Sequence, residues 1–339
     1  EDWKGLYETL IAQVNDGTVP MERLDEAVLR VLRMKDQLGM FSTEVRPSQR
    51  ANAGNWDLLG SGEHRGIARE AVAKSLVLLK NTGILPLKDK VNILVAGTAA
   101  DNIPQQAGGW SVTWQGGGDL TAEQFPGATS IYQGIKAAAD EGGSNATLAV
   151  DGKVVTASAP DVAIVVFGEK PYAEFVGDRK DMVFRDEEGL SLLKSFKASG
   201  IPTVAVFLSG RPLWMNREIN AADAFVAAWL PGSEGAGVAD VLFGSRAPTG
   251  RLSFSWPMAC DGAPLNGPQG ALFPLGFGLD YGETGELAQL DETCAVLAAG
   301  GSEDWFAAGR LAPRVKVLSK GNELPDFRGS AGGVVVRGL

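Results

Sequence analysis

Four short apolar runs recur along the middle of the chain, and helical stretches lie between them. The apolar runs are NILVAG (92–97), DVAIVVFGE (161–169), TVAVFLSG (203–210) and AFVAAWLPG (224–232). Runs this continuous predict strands that are buried on both faces. The stretches with helical spacing are SIYQGIKAAAD (130–140), GLSLLKSFKASG (189–200) and SEGAGVADVLFG (233–244). Alternation of these two kinds of segment predicts an α/β fold, a mainly parallel sheet with helices on both faces.

The segments on either side of this region have a different character. At the amino-terminal end, Leu6, Leu10 and Val14 repeat at helical spacing, and Pro20 opens a second predicted helix with its own apolar stripe. A third helix is predicted from about residue 64, and the apolar run SLVLLKN after it fits either a helix end or a strand. We therefore expect four parts: terminal helices at 1–42, a linker at 43–60, the α/β domain at 61–282, and an incomplete β-rich segment at 283–339, in which PRVKVLSK reads as a strand.

Unusual residues follow the first predicted strand. The loop after NILVAG is long and glycine-rich, and it carries Trp110, Trp114 and Gln115. Loops at the carboxyl ends of parallel strands are where such sheets bind ligands. Indole faces suit the apolar faces of a sugar ring, while the indole N–H groups and Gln115 can meet hydroxyls. The residues alone leave a second interpretation open, in which both tryptophans pack under the loop as a local core.

The loop after the second predicted strand, GEKPYAEFVGDRKDMVF (168–184), is rich in carboxylates. A general acid must keep one carboxyl protonated near neutral pH, which burial or neighbouring negative charge achieves by raising its pKa. Tyr172 and Phe175 flank Glu174, and we expect them to form an apolar wall around it. The alternative is a solvated acidic loop. Further along, Arg211 is expected either to pair with a loop carboxylate or to brace the sheet end, and Glu234 to cap a helix.

Composition excludes several classes of function. The net charge of −10 and the pI near 4.8 argue against nucleic acids and anionic membranes as partners. No apolar run approaches the ~20 residues of a membrane span. A single histidine, His64, which reads as a polar helix-end residue, and two cysteines exclude the usual zinc sites, so no metal is expected. Cys260 and Cys294 fit a disulfide or two free thiols equally well.

Nucleotide binding is also poorly supported. No G-x-G-x-x-G follows the first predicted strand, and no Walker motif is present, so no cofactor is expected. A flavodoxin-like nucleotide domain would cradle phosphate after NILVAG. That loop instead carries Asp101, Pro104 and the two tryptophans, which suit phosphate poorly.

Taken in order, the motifs of the chain resemble glycoside hydrolase family 3, and most of all its β-D-glucan exohydrolase group, from residue 1 to about 282. The matching stretches are AREAVAKSLVLLKN, DNIPQQAGGWSVTWQG, GEKPYAEFVGD, LSGRP, DAFVAAWLPGSEGAGVADVLFG, TGRLSFSWP and LFPLGFGLDY. The family implies a (β/α)8 barrel followed by a six-stranded (α/β)6 sandwich, with the active site at their junction. Residues 1–42 then resemble the last helices of the barrel.

The resemblance also implies roles for individual residues. It identifies Glu174 as the general acid/base of a retaining hydrolase, and Trp110 and Trp114 as substrate-binding residues near the aglycone, with Trp114 the better candidate for the sugar contact. The predicted site is completed by Tyr172 as a further substrate-binding residue and by three supporting residues: Glu169, Asp178 and Arg211. A retaining mechanism needs a second carboxyl about 5–5.5 Å from the first. The nucleophile has no counterpart here and is expected in a barrel domain upstream of Glu1.

The expected partners are therefore a β-glucan or β-gluco-oligosaccharide and the upstream barrel of the same protein. The resemblance implies release of glucose from non-reducing ends, in the periplasm or outside the cell, and an inactive isolated chain. The competing hypothesis is a non-catalytic module of the same fold that binds or senses carbohydrate.

Overall fold

The chain divides into two compact units, 1–61 and 62–339. The computed structural model describes residues 2–41, 46–153, 159–262, 266, 269–283, 287–298, 306–307 and 310–311. The predicted strand PRVKVLSK lies outside the described residues.

Helices make up most of the first unit. Helix α1 (Trp3–Asn15) begins where the Asp2 carboxylate accepts a hydrogen bond from the Gly5 N–H, and α2 (Met21–Gln37) begins directly after Pro20. Two single-turn 3-10 helices follow at Pro47–Gln49 and Trp56–Leu58. The apolar stripes of α1 and α2 are exposed, and neither helix has a buried residue. Their interpretation as barrel helices stays a prediction.

The second unit is built on a six-stranded sheet. Helix α3 (Gly62–Ser75), with His64 exposed in its first turns, leads into the first strand, so SLVLLKN forms a strand rather than a helix end. The strands are β1 (Val77–Asn81), β2 (Asn92–Ala96), β3 (Asn145–Leu148), β4 (Val162–Gly168), β5 (Thr203–Leu208) and β6 (Ala224–Trp229). Their order is β1-β6-β5-β4-β2-β3, with β1 antiparallel to β6 and the other pairs parallel. The predicted mainly parallel sheet is confirmed.

Helices cover both faces of this sheet, as predicted. The helices that follow α3 are α4 (Ile103–Ala107), α5 (Ile131–Glu141), α6 (Glu188–Ala198), α7 (Asn216–Ala221) and α8 (Ala236–Leu242), and α3, α5, α6, α7 and α8 pack on the sheet. Successive strand residues point to opposite faces. In β4, Ile164 joins the core formed with α3, α5 and α8, while Val165 joins the core formed with α6 and α7. Strands with both faces buried are therefore apolar at every position.

The direction in which the chain moves across the sheet changes between β2 and β4. From β2 the chain turns outward to β3 and then returns to β4 on the other side of β2. The loops that follow β2 and β4 leave the same edge of the sheet in opposite directions, which is the arrangement that opens a ligand crevice in sheets of this kind. These are the loops that carry the two tryptophans and Glu174.

Several local expectations are corrected or settled. Helix α8 begins at Ala236, and Glu234 does not cap it: its carboxylate is buried and pairs with Arg65 at 3.0 Å. Cys260 and Cys294 form a disulfide.

Short elements complete the tail: a β7–β8 pair (Trp256–Pro257 and Ala271–Phe273), helix α9 (Ala295–Ala298) and a β9–β10 pair (Phe306–Ala307 and Arg310–Leu311). Within the described ranges, no helix has both the length and the apolar character needed to cross a bilayer.

Candidate active site

The two tryptophans lie on a tight turn in the loop after β2. The backbone N–H of Trp110 donates to the backbone carbonyl of Trp114 at 2.8 Å, and Ser111 and Thr113 form an antiparallel β-bridge. Trp110 and Val112 have φ values of 58° and 66°. A positive φ is unusual for side chains of this bulk, and such strain persists only where surrounding contacts enforce it. The turn brings the indole rings to 6.2 Å between centroids.

Both indoles are exposed at this turn. Trp110 is 71% exposed and Trp114 is 44% exposed. The interpretation of the pair as a local core beneath the loop is therefore wrong. Two neighbouring exposed indoles can take part in contacts with an incoming molecule.

The loop after β4 lies directly against this turn. A Cβ atom on Gly109 would stand 2.0 Å from the carbonyl oxygen of Tyr172, so only glycine permits the approach. Gln115 joins the loops further: its amide donates to the Glu174 carbonyl at 3.0 Å and accepts from the Ala173 N–H at 2.8 Å. Both ends of the Gln115 amide thus hold the backbone beside Glu174, and a contact of Gln115 with sugar hydroxyls stays a prediction.

The carboxylate of Glu174 lies beside both tryptophans. The Nε1 of Trp114 lies 2.6 Å and the Nε1 of Trp110 lies 3.2 Å from the same oxygen, Oε2. The Trp114 hydrogen bond is the main cause that lowers the pKa of Glu174, followed by the backbone N–H of Glu174 and the Trp110 indole. The prediction that this loop raises the pKa is wrong within this chain, because Glu174 is exposed.

The two aromatic residues that flank Glu174 do not form the expected apolar wall around it. Phe175 is exposed and meets the Trp114 ring edge-on at 5.8 Å between centroids. Tyr172 is half-buried, with its ring 4.2 Å from the guanidinium carbon of Arg211. Burial, with the negative charge of Glu169 as the next cause, raises the pKa of the Tyr172 hydroxyl to about 12. A direct contact between Tyr172 and substrate stays a prediction.

Partly buried ion pairs anchor the loop after β4 to the sheet. The Glu169 carboxylate accepts from Nε and Nη2 of Arg211, at 2.9–3.2 Å, from Nη1 of Arg179 at 3.2 Å and from the Ser209 hydroxyl at 2.7 Å. Arg211 also donates to the Gly177 carbonyl at 2.6 Å, which ties the far side of the loop to its start. Of the two expectations for Arg211, pairing with a loop carboxylate is confirmed. The bidentate geometry is the strong form of this contact.

Two further residues of the loop complete the description. Asp178 is exposed, and its backbone N–H closes a turn on the Phe175 carbonyl at 3.2 Å. The ion pair between Arg179 and Glu169 was not predicted from the sequence. The one sequence feature that could have indicated it is the position of this arginine, ten residues after Glu169 within a run of acids.

The space around these residues is shallow. The cleft lined by Gly109, Tyr172 and Gly210 measures about 20 Å³. Sites that enclose small ligands usually measure about 300–1,000 Å³. A larger cavity of about 570 Å³ lies at the opposite, amino-terminal edge of the parallel strands, lined by Asp161 and Asp223 among others, away from Glu174. The described residues alone therefore present a surface to a sugar rather than a pocket.

Comparison with known proteins agrees with this fold. The sequence model of the glycosyl hydrolase family 3 C-terminal domain matches residues 76–281. The solved structure of an exo-1,3/1,4-β-glucanase from a Pseudoalteromonas species is 48% identical with a TM-score of 0.76, covering 87% of this chain and 38% of that one. A β-glucosidase from Listeria innocua, solved with laminaribiose, is 26% identical with a TM-score of 0.60, covering 80% of this chain and 41% of that one.

A curated relative shows the same relation. The lysosomal β-glucosidase of Dictyostelium discoideum is 34% identical over 299 residues, which cover 80% of this chain and 36% of that protein. The chain thus spans between 36% and 41% of the length of these three relatives.

Proposed function

The chain belongs to glycosyl hydrolase family 3, and from this premise we propose that it supplies the general acid/base of a retaining, exo-acting β-glucosidase or β-glucan exohydrolase. The observation that carries the proposal is the position of Glu174. Its carboxylate lies on the loop that leaves the carboxyl end of β4, where it accepts hydrogen bonds from two indole N–H groups whose side chains are exposed.

In the proposed reaction, Glu174 first acts as an acid. It gives its proton to the glycosidic oxygen as the bond to the anomeric carbon breaks, while a carboxylate of the barrel domain attacks that carbon. In the second step Glu174 takes a proton from water, and the resulting hydroxide displaces the barrel carboxylate. The sugar leaves with its original β configuration, and Glu174 returns to its protonated state.

Docking of a barrel and a sugar would also supply the missing shift in pKa. Within this chain the pKa of Glu174 is lowered by its hydrogen bonds. A barrel and a sugar that cover the exposed carboxyl would remove water, and a nearby carboxylate nucleophile would add negative charge. Both effects raise the pKa of an acid. Esterification of the nucleophile then removes that charge, so the pKa of Glu174 falls when it must act as a base.

The proposed substrate is a β-linked gluco-oligosaccharide or glucan, from which glucose is released at the non-reducing end. The exposed side chains of Trp110 and Trp114 beside the acid support a sugar on the leaving-group side. The names of the relatives, β-glucosidase and exo-1,3/1,4-β-glucanase, support the same class. The disulfide favours an oxidising compartment, and one relative from Salmonella typhimurium is a periplasmic β-glucosidase. We therefore place the enzyme in the periplasm or outside the cell.

The test compares Glu174→Gln with Glu123→Gln in the protein that carries the barrel together with this chain. Glu123 is exposed in the same long loop as the tryptophans and serves as the matched control. For Glu174→Gln we expect kcat/KM on cellobiose or laminaribiose to fall by ~10²–10⁴. On a dinitrophenyl β-glucoside the loss in kcat/KM should be small, because that leaving group needs no proton. Equal turnover of wild type and Glu174→Gln on disaccharides would overturn the proposal.

A further inference from the structure

Both indole N–H groups near Glu174 converge on one of its two oxygens. Trp114 and Trp110 donate to Oε2, at 2.6 Å and 3.2 Å. A carboxylate oxygen offers two lone-pair sites in its plane. Two N–H donors fill both sites, so a proton on Oε2 would have to displace one of them. The neutral acid therefore carries its proton on the other oxygen, Oε1.

The donors are held in place by several contacts. The backbone hydrogen bond from Trp110 to Trp114 closes the turn, and Phe175 meets the Trp114 ring at 88° between planes. Gln115, next to Trp114 in sequence, is bonded at both ends of its amide to the backbone of residues 173 and 174. Positive φ values at Trp110, Val112 and Phe175 show that the backbone accepts strain to keep this arrangement.

Without such donors, the carboxyl would be free to rotate. Glu174 is exposed, and a glutamate side chain on an exposed loop samples several rotamers, while the torsion of its carboxyl group is broad. Proton transfer requires the donor oxygen within hydrogen-bond reach of its target. Two hydrogen bonds to Oε2 fix both the side chain and the plane of the carboxyl, so that Oε1 points in one direction.

We propose that Trp110 and Trp114 are positioning residues for the acid/base, which bind Oε2 of Glu174 and thereby assign Oε1 as the oxygen that delivers the proton. This rests on the proposed function and adds a role to the sugar contact expected of these indoles. The two roles differ in what they need. A sugar platform needs the ring face, whereas positioning needs the N–H.

The experiment uses Trp110→Phe, Trp114→Phe and the double variant in the barrel-containing protein, with the exposed Trp56→Phe as the matched control. Phenylalanine keeps an aromatic face and lacks the N–H donor. We expect kcat on laminaribiose and cellobiose to fall roughly tenfold for each lost donor, while kcat/KM on a dinitrophenyl β-glucoside stays within about twofold, because that substrate needs no proton.

The pH profile of kcat/KM gives the second readout. Loss of a donor to the ionised form raises the pKa of Glu174, so the basic limb of the profile should move to higher pH. The variants would then hold more of the protonated acid at neutral pH and still turn over disaccharides more slowly. A change in the protonation of Glu174 alone would make turnover faster at neutral pH. Slower turnover with more of the protonated acid therefore indicates that the acid is misplaced.

Two results would overturn the inference. One is a rise in KM for disaccharides with the basic limb unmoved, which a sugar platform alone would give. The other is an equal loss on disaccharides and dinitrophenyl glucoside. Failure of the proposed function has a different signature, because Glu174→Gln would then retain disaccharide turnover whatever the tryptophan variants do.

Discussion

A buried glutamate on α7 should make the stability of this protein depend on pH. The side chain of Glu218 is 1% exposed, and neither of its oxygens has a hydrogen-bond partner among the described residues. Its nearest opposite charge is Nη2 of Arg217, at 3.6 Å. Burial is the first cause that raises the pKa of Glu218, to about 7 from its usual 4.5.

The sign and size of the effect follow from these two values. Between pH 4.5 and about 7, the unfolded chain has lost the proton that the folded chain retains. The stabilisation is complete below pH 4.5, decreases as the pH rises, and is lost above about 7. At about 1.4 kcal/mol for each pH unit, the free energy of unfolding should fall by roughly 3 kcal/mol over this range.

Glu218→Gln removes the titrating group and nearly preserves its shape. We expect the variant to match wild type within about 0.5 kcal/mol near pH 4 and to exceed its free energy of unfolding by about 3 kcal/mol at pH 8. Urea denaturation followed by circular dichroism from pH 4 to 8.5 measures both curves, with the exposed Glu123→Gln as control. If the wild-type and Glu218→Gln curves run parallel across that range, the reasoning is refuted.

Two further predictions concern the anchoring of the loop and the need for a barrel. Arg211→Met breaks the partly buried pair with Glu169 and should lower the free energy of unfolding by about 3 kcal/mol, with kcat falling in the barrel-containing enzyme. Arg211→Lys, which lacks the bidentate fork, should restore only part of the stability and of kcat, and full restoration in denaturation and kinetics would contradict this. The 339-residue chain alone should show no turnover of aryl β-glucosides, since a retaining mechanism needs a second carboxyl from the barrel. Measurable hydrolysis by the purified chain would contradict that need.

The sheet could be predicted from sequence because its strands are buried on both faces. Runs such as DVAIVVF read as strands whatever their neighbours are, and β4 and β5 lie within the predicted ranges. Strand β3 was missed because Asn145–Leu148 is a four-residue edge strand that is only partly buried. Edge strands lack the continuous apolar pattern that marks the centre of a sheet.

The two loops that form the candidate site could be located from sequence, but the contacts between them could not. The rule that ligands bind at strand carboxyl ends placed the loops of Trp110, Trp114 and Glu174 at one edge of the sheet, and the family resemblance singled out Glu174. The two indole N–H groups reach Oε2 of Glu174 from a turn with positive φ values. The Gln115 amide binds the backbone of residues 173 and 174, which are 58 and 59 residues away in sequence. A linear pattern contains no information on such pairings. For the same reason, nothing in the order of residues pointed to a lowered pKa at Glu174.

The most direct test of the central claim is chemical rescue of Glu174→Gly in the barrel-containing enzyme. With a dinitrophenyl β-glucoside the first step needs no proton, so the glucosyl-enzyme should accumulate and turnover should be slow. Azide, which needs no base, should then restore turnover and yield β-glucosyl azide, identified by NMR. If azide gives no rate increase, or if the product has the α configuration, Glu174 is not the acid/base of a retaining enzyme.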